Sequence, residues 1–198
     1  MRYIALVSSP DDPDGDWSTR HSVLTMARRT AALVNALAEA RPDPGHVASV
    51  LRAYGERGPL DLTSRDVTRM RDAADQLREV FAAEHADEAA LALNRLLRTH
   101  TGPLRLTSHD GATPWHPHLD HGDNAPWDEW FLASSCLALT VLVWDRQLPP
   151  GRICASPTCR NVFITHGPGP ERRYCSRRCA TRERVAAHRR ARSTESPG

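Results

Sequence analysis

Apolar residues recur at spacings of three and four over most of the first 150 positions, a period that predicts helices rather than strands. Val23, Met26, Ala27, Thr30, Leu33, Val34 and Leu37 form one stripe, predicting a helix from about Ser22 to Ala40. Arg41-Pro42-Asp43-Pro44-Gly45 stops it, because proline and glycine interrupt helical geometry. A short helix over Val47–Tyr54 ends at Gly55. Thr63 is placed to cap the next helix, with Asp66 near its positive end. Val67, Met70, Ala74, Leu77 and Phe81 carry its buried face, and Leu91, Leu93 and Leu96-Leu97 mark a further helix over Glu88–Arg98. The most apolar stretch, Trp130–Trp144, starts near Asn124–Pro126 and runs to about Gln147. Ser134, Ser135 and Thr140 lie inside it, and it is too short to span a bilayer, so it reads as a buried central helix. Cys136 within it reads as a small core residue.

The helical period lapses in three places. Tyr3–Val7 reads as a short strand before the loop Ser8–Gly15. Leu104–Thr107 and Thr113–His118 flank Asp110-Gly111, a hairpin turn signal. Pro149-Pro150-Gly151 breaks the apolar helix and reads as a hinge. The expected architecture is therefore a mainly α domain with a small β-hairpin (α+β) over residues 1–148, then a separate module over 152–192. Ser193–Gly198 reads as a disordered tail. Trp115, Trp127 and Trp130 are expected in the core, with the alternative of lining an effector pocket beside the hairpin.

Charge changes this picture. The chain of 198 residues has a net charge of +2, but residues 152–192 hold 11 arginines against Glu171 and Glu183. The preceding residues are net acidic. A basic module on an acidic body suits a polyanionic partner. All 26 cationic side chains are arginine, which a GC-rich genome explains more simply than chemistry does. Their placement is therefore the informative feature.

The same module carries Cys154-x4-Cys159-x15-Cys175-x3-Cys179. Zinc takes four ligands in a tetrahedron, and thiolates are its usual structural ligands. Ala155-Ser156-Pro157-Thr158 suits a tight knuckle. Cys175 and Cys179 are about 400° apart on a helix, so both sulfurs leave nearly the same face. Four thiolates leave no open position, so Cys154, Cys159, Cys175 and Cys179 are expected to hold one structural Zn2+. Disulfides would need an oxidising compartment, and the start Met1-Arg2-Tyr3 has no secretory layout; a cytoplasmic location is expected. Val162–Thr165 and Arg172–Tyr174 read as two short strands joined by His166–Pro170. A helix then runs from a cap at Cys175 or Ser176 to about Arg192. The expected fold of this module is a treble-clef-like zinc finger with four cysteine ligands.

On Cys154, Cys159, Val162-Phe163, Arg172-Arg173-Tyr174-Cys175-Ser176, Cys179, Arg182 and His188-Arg189, the module resembles the CGNR zinc fingers. That family is named for a Cys-Gly-Asn-Arg tetrapeptide; here the four residues are Cys179-Ala180-Thr181-Arg182. Thr165 stands where the family has an acidic residue. The resemblance implies an N-terminal helical ABATE domain, to which Leu33-Val34-Asn35, Val47–Gly55 and Leu60-Asp61-Leu62-Thr63 are similar in outline. It also implies a stress-induced bacterial transcription regulator.

Arg178, Arg182, Val185, Arg189 and Arg192 fall on one helical stripe. The expected partner is double-stranded DNA, contacted by Arg173, Arg178, Thr181, Arg182, Arg189 and Arg192. For Arg182 an internal bracing role is the alternative. A homodimer and a small-molecule effector at the N-terminal domain complete the expected partners, and no membrane is expected. The competing reading is a zinc-stabilised protein-interaction or ligand-sensing module without DNA binding. An enzyme is not expected: His166 and His188 are the finger's candidates for a nuclease site, and His188 has no carboxylate nearby in sequence. Finally, His109, His116, His118 and His121 crowd together with Asp110, Asp120 and Asp123. Imidazoles at such spacing can bind zinc or nickel, while short His-rich loops are more often simply a polar surface.

Overall fold

A computed structural model describes residues 19–56, 59–111, 113–165 and 172–194. The expected strand Tyr3–Val7, the loop after it and the turn His166–Pro170 lie outside the described residues, as do the last four positions. Ten elements follow in order: α1 Thr19–Leu37, α2 Pro44–Ala53, α3 Ser64–Ala82, α4 Ala86–His100, β1 Arg105–Thr107, β2 His116–His118, α5 Trp127–Arg146, β3 Gly151–Ile153, β4 Val162–Ile164 and α6 Arg177–Thr194. Among the described residues the protein is thus mainly helical with two small antiparallel hairpins.

Local chemistry sets the helix ends. Asp43 accepts from the His46 amide at 2.8 Å, and Pro44 begins α2, where its missing N–H costs nothing. Thr63 and Asp66 form a reciprocal capping box on α3, satisfying two otherwise orphaned amides. Gln147 ends α5 in the left-handed region at φ 54°.

Helix α5 is the centre of the fold and packs against α1, α3 and α4. Phe131, Cys136, Ala138 and Leu139 are wholly buried, and burial pushes the Cys136 thiol up to about 12. A polar seam crosses this core. The buried Arg29 guanidinium pairs with buried Glu56, donates to Ser134 Oγ at 3.0 Å and lies 4.5 Å from the Trp130 ring centroid. Beside it, Thr30 donates to Ser135 at 2.9 Å. Burial raises the Glu56 carboxyl above its ordinary range, against the pull of Arg29.

Three expectations change. Arg172–Tyr174 form no strand; β4 instead pairs with Gly151–Ile153, which precedes the first cysteine. Cys154 and Cys159 lie on the connection within this hairpin. The reason is close packing at Gly151. A Cβ there would lie 2.4 Å from the Phe163 carbonyl oxygen and 2.7 Å from the Phe81 ring, so glycine lets the chain enter the sheet against α3 rather than serve as a free hinge. Trp127 and Trp130 at the start of α5 are buried, but Trp115, in the irregular segment before β2, is 71% exposed. Helix α6 continues through Ser193 and Thr194, two residues into the segment read as tail.

Hairpin β3–β4 is part of the main core. Val162 and Ile164 belong to the same apolar cluster as α1, α3 and α5. Asn35 on α1 clamps the β4 backbone, and Arg78 on α3 donates to the Arg160 carbonyl at 2.8 Å.

Candidate metal centre

The four cysteines converge from two elements. Cys154 follows β3, and Cys159 closes a tight turn in which its amide donates to the Ser156 carbonyl at 2.9 Å. The Cys154 amide donates to the Asn161 carbonyl at 2.8 Å, tying the knuckle to β4. Cys175 and Cys179 come from the start of α6, where Ser176 Oγ accepts from the Cys179 amide at 3.2 Å. That is the capping role its position predicts.

All four sulfurs lie within 4.8 Å of one another, and all are free of disulfides. Cys175 Sγ is 3.7 Å from both Cys159 Sγ and Cys179 Sγ. With Zn–S bonds of about 2.3 Å, a tetrahedron has edges of about 3.8 Å. Two of the sulfur pairs therefore already stand at the spacing of a zinc tetrahedron, and the rest lie within 4.8 Å. The donor set is all thiol, which suits a closed structural site.

The electrostatics point the same way. Without a cation, burial and neighbouring thiols push Cys175 up to about 12, and burial raises Cys159. Cys179 falls, to about 7, chiefly through the hydrogen bond with Ser176. Four thiolates so close repel one another, and a divalent cation removes that repulsion. One structural zinc bound by Cys154, Cys159, Cys175 and Cys179 follows.

The arginines divide into two groups. Arg182 is exposed, yet its guanidinium is engaged: it donates to Ser156 Oγ at 2.6 Å and approaches Cys179 Sγ at 3.5 Å. Ser156, itself buried, donates to Glu183. This ties α6 to the knuckle, the bracing alternative for Arg182. Arg173, Arg178, Thr181, Arg189 and Arg192 are exposed as well, with Arg173 lying over the Tyr174 ring. His188 is exposed, and His166 lies outside the described residues.

Sequence reasoning missed Ser156, which spacing does not distinguish from any turn serine. It also missed Arg28 on α1, which faces the finger across a cleft of about 700 Å³. Arg28, Arg172, Arg178 and Arg182 line this cleft together with Asn35 and Tyr54, and among the described residues no carboxylate does.

A helical protein with a four-cysteine zinc finger docked on its core is the class these features define. Residues 151–192 match the CGNR zinc finger family. No curated protein sequence matches the chain. Among the described residues, no helix is long and apolar enough to cross a membrane.

Proposed function

We propose that this protein is a non-enzymatic, DNA-binding transcription regulator whose zinc finger is treble-clef-like and whose N-terminal, ABATE-like helical domain supplies dimerisation or effector sensing. The observation that carries this reading is the cleft lined by four arginines and, among the described residues, no carboxylate, continued along α6 by exposed Arg189 and Arg192. Arginine pairs bidentately with phosphate and guanine edges. Arg178 is exposed at the cleft and sits on the first turn of a helix whose start the zinc fixes, so it is the strongest candidate to reach the duplex. Arg173 and Thr181 border it. Phosphate contacts supply affinity, and sequence preference requires side chains at the groove floor.

Fluorescence anisotropy on random duplex across a salt series tests this. Log affinity should fall steeply with log salt. Arg178→Ala or Arg189→Ala should flatten the slope by about one unit. Binding that ignores salt, or variants indistinguishable from the parent, would sink the DNA reading. A second reading rests on Arg28 and Tyr54, which let a ligand in the cleft touch the helical domain and the finger together. On it, a small anion or acidic segment occupies the cleft, and the protein binds heparin while failing to bind duplex.

A further inference from the structure

Hairpin β1–β2 gathers three histidines that the zinc finger does not use. His116 and His118 flank Pro117 on β2, so their side chains share one face. His109 reaches them from the connecting loop. It does so because His109, Asp110 and Gly111 are successive left-handed residues, with φ of 49°, 57° and 83°. Non-glycine residues rarely adopt that region, and strain there is retained where surrounding structure enforces it. Here the Thr107 hydroxyl accepts from the His109 amide at 3.1 Å, and the Ser108 hydroxyl accepts from the Gly111 amide at 3.1 Å.

The rings meet through one atom each. His116 Nε2 is 3.3 Å from His109 Nε2 and 3.0 Å from His118 Nε2. The Nδ1 atoms face outward onto oxygens. His118 Nδ1 lies 3.0 Å from both Asp120 oxygens, closer than Arg105 Nη2 at 3.5 Å. His109 Nδ1 lies 3.2 Å from Asp123 Oδ2, and His116 Nδ1 lies 2.8 Å from the Pro114 carbonyl. Carboxylates and carbonyls accept only, so His116 and His118 carry their protons on Nδ1. The Nε2 atoms of His116 and His118 are then both lone-pair acceptors, facing each other at 3.0 Å with no donor between them. His109 and His118 are 1% and 4% exposed, so water does little to relieve this. A cation at their meeting point would.

We propose that His109, His116 and His118 bind a divalent transition-metal ion, zinc foremost, through their Nε2 atoms, leaving one coordination position for an exchangeable ligand such as water or a small anion. Zn–N bonds of about 2.0–2.1 Å give a tetrahedron edge of about 3.3 Å, close to the observed separations. Asp120 and the Pro114 carbonyl fix the orientation and tautomer of His118 and His116, the arrangement found behind ligating histidines, and Asp123 lies beside His109 Nδ1. Arg105 bridges the carboxylates, at 2.6 Å from Asp120 and 2.8 Å from Asp123, and so holds both in place. Two carboxylates and one guanidinium leave a negative charge for a dication to offset. Among the described residues no cysteine or carboxylate joins the three histidines as a fourth ligand. Three protein ligands with one position free is the open form of a zinc site, unlike the closed all-thiolate site of the finger. His116, the half-buried member, is the side from which an ion enters. His121 takes no part, because it pairs with Glu129.

Full-length protein is stripped of metal, reloaded with excess zinc chloride, desalted and measured by elemental analysis. Two equivalents per chain are expected in the parent and one in His116→Ala, whose half-exposed side chain the fold tolerates. Asp120→Asn should retain the three ligands but weaken the second equivalent roughly 10–100-fold. Cobalt loading gives an independent readout. His116→Ala should keep the thiolate-to-cobalt charge-transfer absorption of the four-cysteine site and lose a second, thiolate-free set of d–d bands. Anomalous scattering at the zinc edge should place an ion between the three Nε2 atoms. A single equivalent in the fully loaded parent would overturn the proposal, as would a second equivalent that survives both variants or no anomalous peak at the histidines.

Discussion

Asn35 and Val162 exchange two hydrogen bonds across 127 residues of chain. The Asn35 amide nitrogen donates to the Val162 carbonyl at 3.0 Å, and the Val162 amide donates to Asn35 Oδ1 at 2.8 Å. A side chain on α1 thus completes the free edge of β4 as a neighbouring strand would. Asn35→Ala would leave both backbone groups of Val162 without these partners, at a cost of about 1–3 kcal/mol for each group left unsatisfied. A lower urea midpoint and faster hydrogen exchange at the Val162 amide are expected. Asn35→Asp should not rescue it, since a carboxylate cannot donate to the carbonyl. An unchanged midpoint in Asn35→Ala would show that the contact does not hold the finger down.

Zinc loss should reach the helices. Cys154→Ser or strong chelation frees the knuckle and with it β4, whose Val162 and Ile164 belong to the main apolar cluster. Fully exposing each such side chain costs about 1.5–3 kcal/mol. Melting followed by helical circular dichroism should shift to lower temperature, not only melting of the finger. A variant with unchanged helical melting would mean the module is energetically separate.

Zinc uptake at the four-cysteine site should release protons. With Cys175 near 12 and Cys159 raised in the metal-free cluster, both enter as thiols at pH 7.5 and must ionise to bind. Affinity therefore rises with pH and falls on acidification. Calorimetry of His116→Ala in buffers of differing ionisation enthalpy should show at least two protons released. Fewer than two would contradict these protonation states.

Arg182 and Arg178 should separate bracing from binding. Arg182→Ala removes bonds to Ser156 and Cys179 and should destabilise the finger by about 1–3 kcal/mol, with faster zinc release to a chromogenic chelator. Arg178→Ala should leave melting and zinc retention at parental values. Arg182→Ala with parental zinc release would place its function outside the fold.

The Arg29–Glu56 pair should tolerate joint but not single replacement. Glu56→Gln leaves a buried guanidinium without its counter-charge, and breaking such pairs costs about 3–5 kcal/mol. Arg29→Met with Glu56→Leu removes both charges and should recover most of that loss in denaturant melts. A single variant as stable as the parent would mean the pair is solvated despite its burial.

Much of this protein was legible where interactions are local. The Thr63–Asp66 capping box joins residues three apart, and the apolar periods of α1 and α3 state which face is buried before any partner is known. The cysteine spacing implied the zinc site because knuckle and helix geometry are set within a few residues. The three-dimensional fold decided whatever depends on distant backbone. It chose Gly151–Ile153 as the partner of β4, since the fit of Gly151 between Phe163 and Phe81 is invisible to propensity. It engaged the Arg182 guanidinium with Ser156 and Cys179, although Arg182 and Arg178 lie on one helical stripe and are both exposed. It also singled out His109, His116 and His118 from four histidines and left His121 to Glu129, because the left-handed run at residues 109–111 determines which rings converge. Periodicity reports which face of an element is apolar, and local chemistry reports where it ends. Which side chain meets which is fixed only when elements far apart in sequence pack, because those contacts depend on shape and distance that no local pattern encodes.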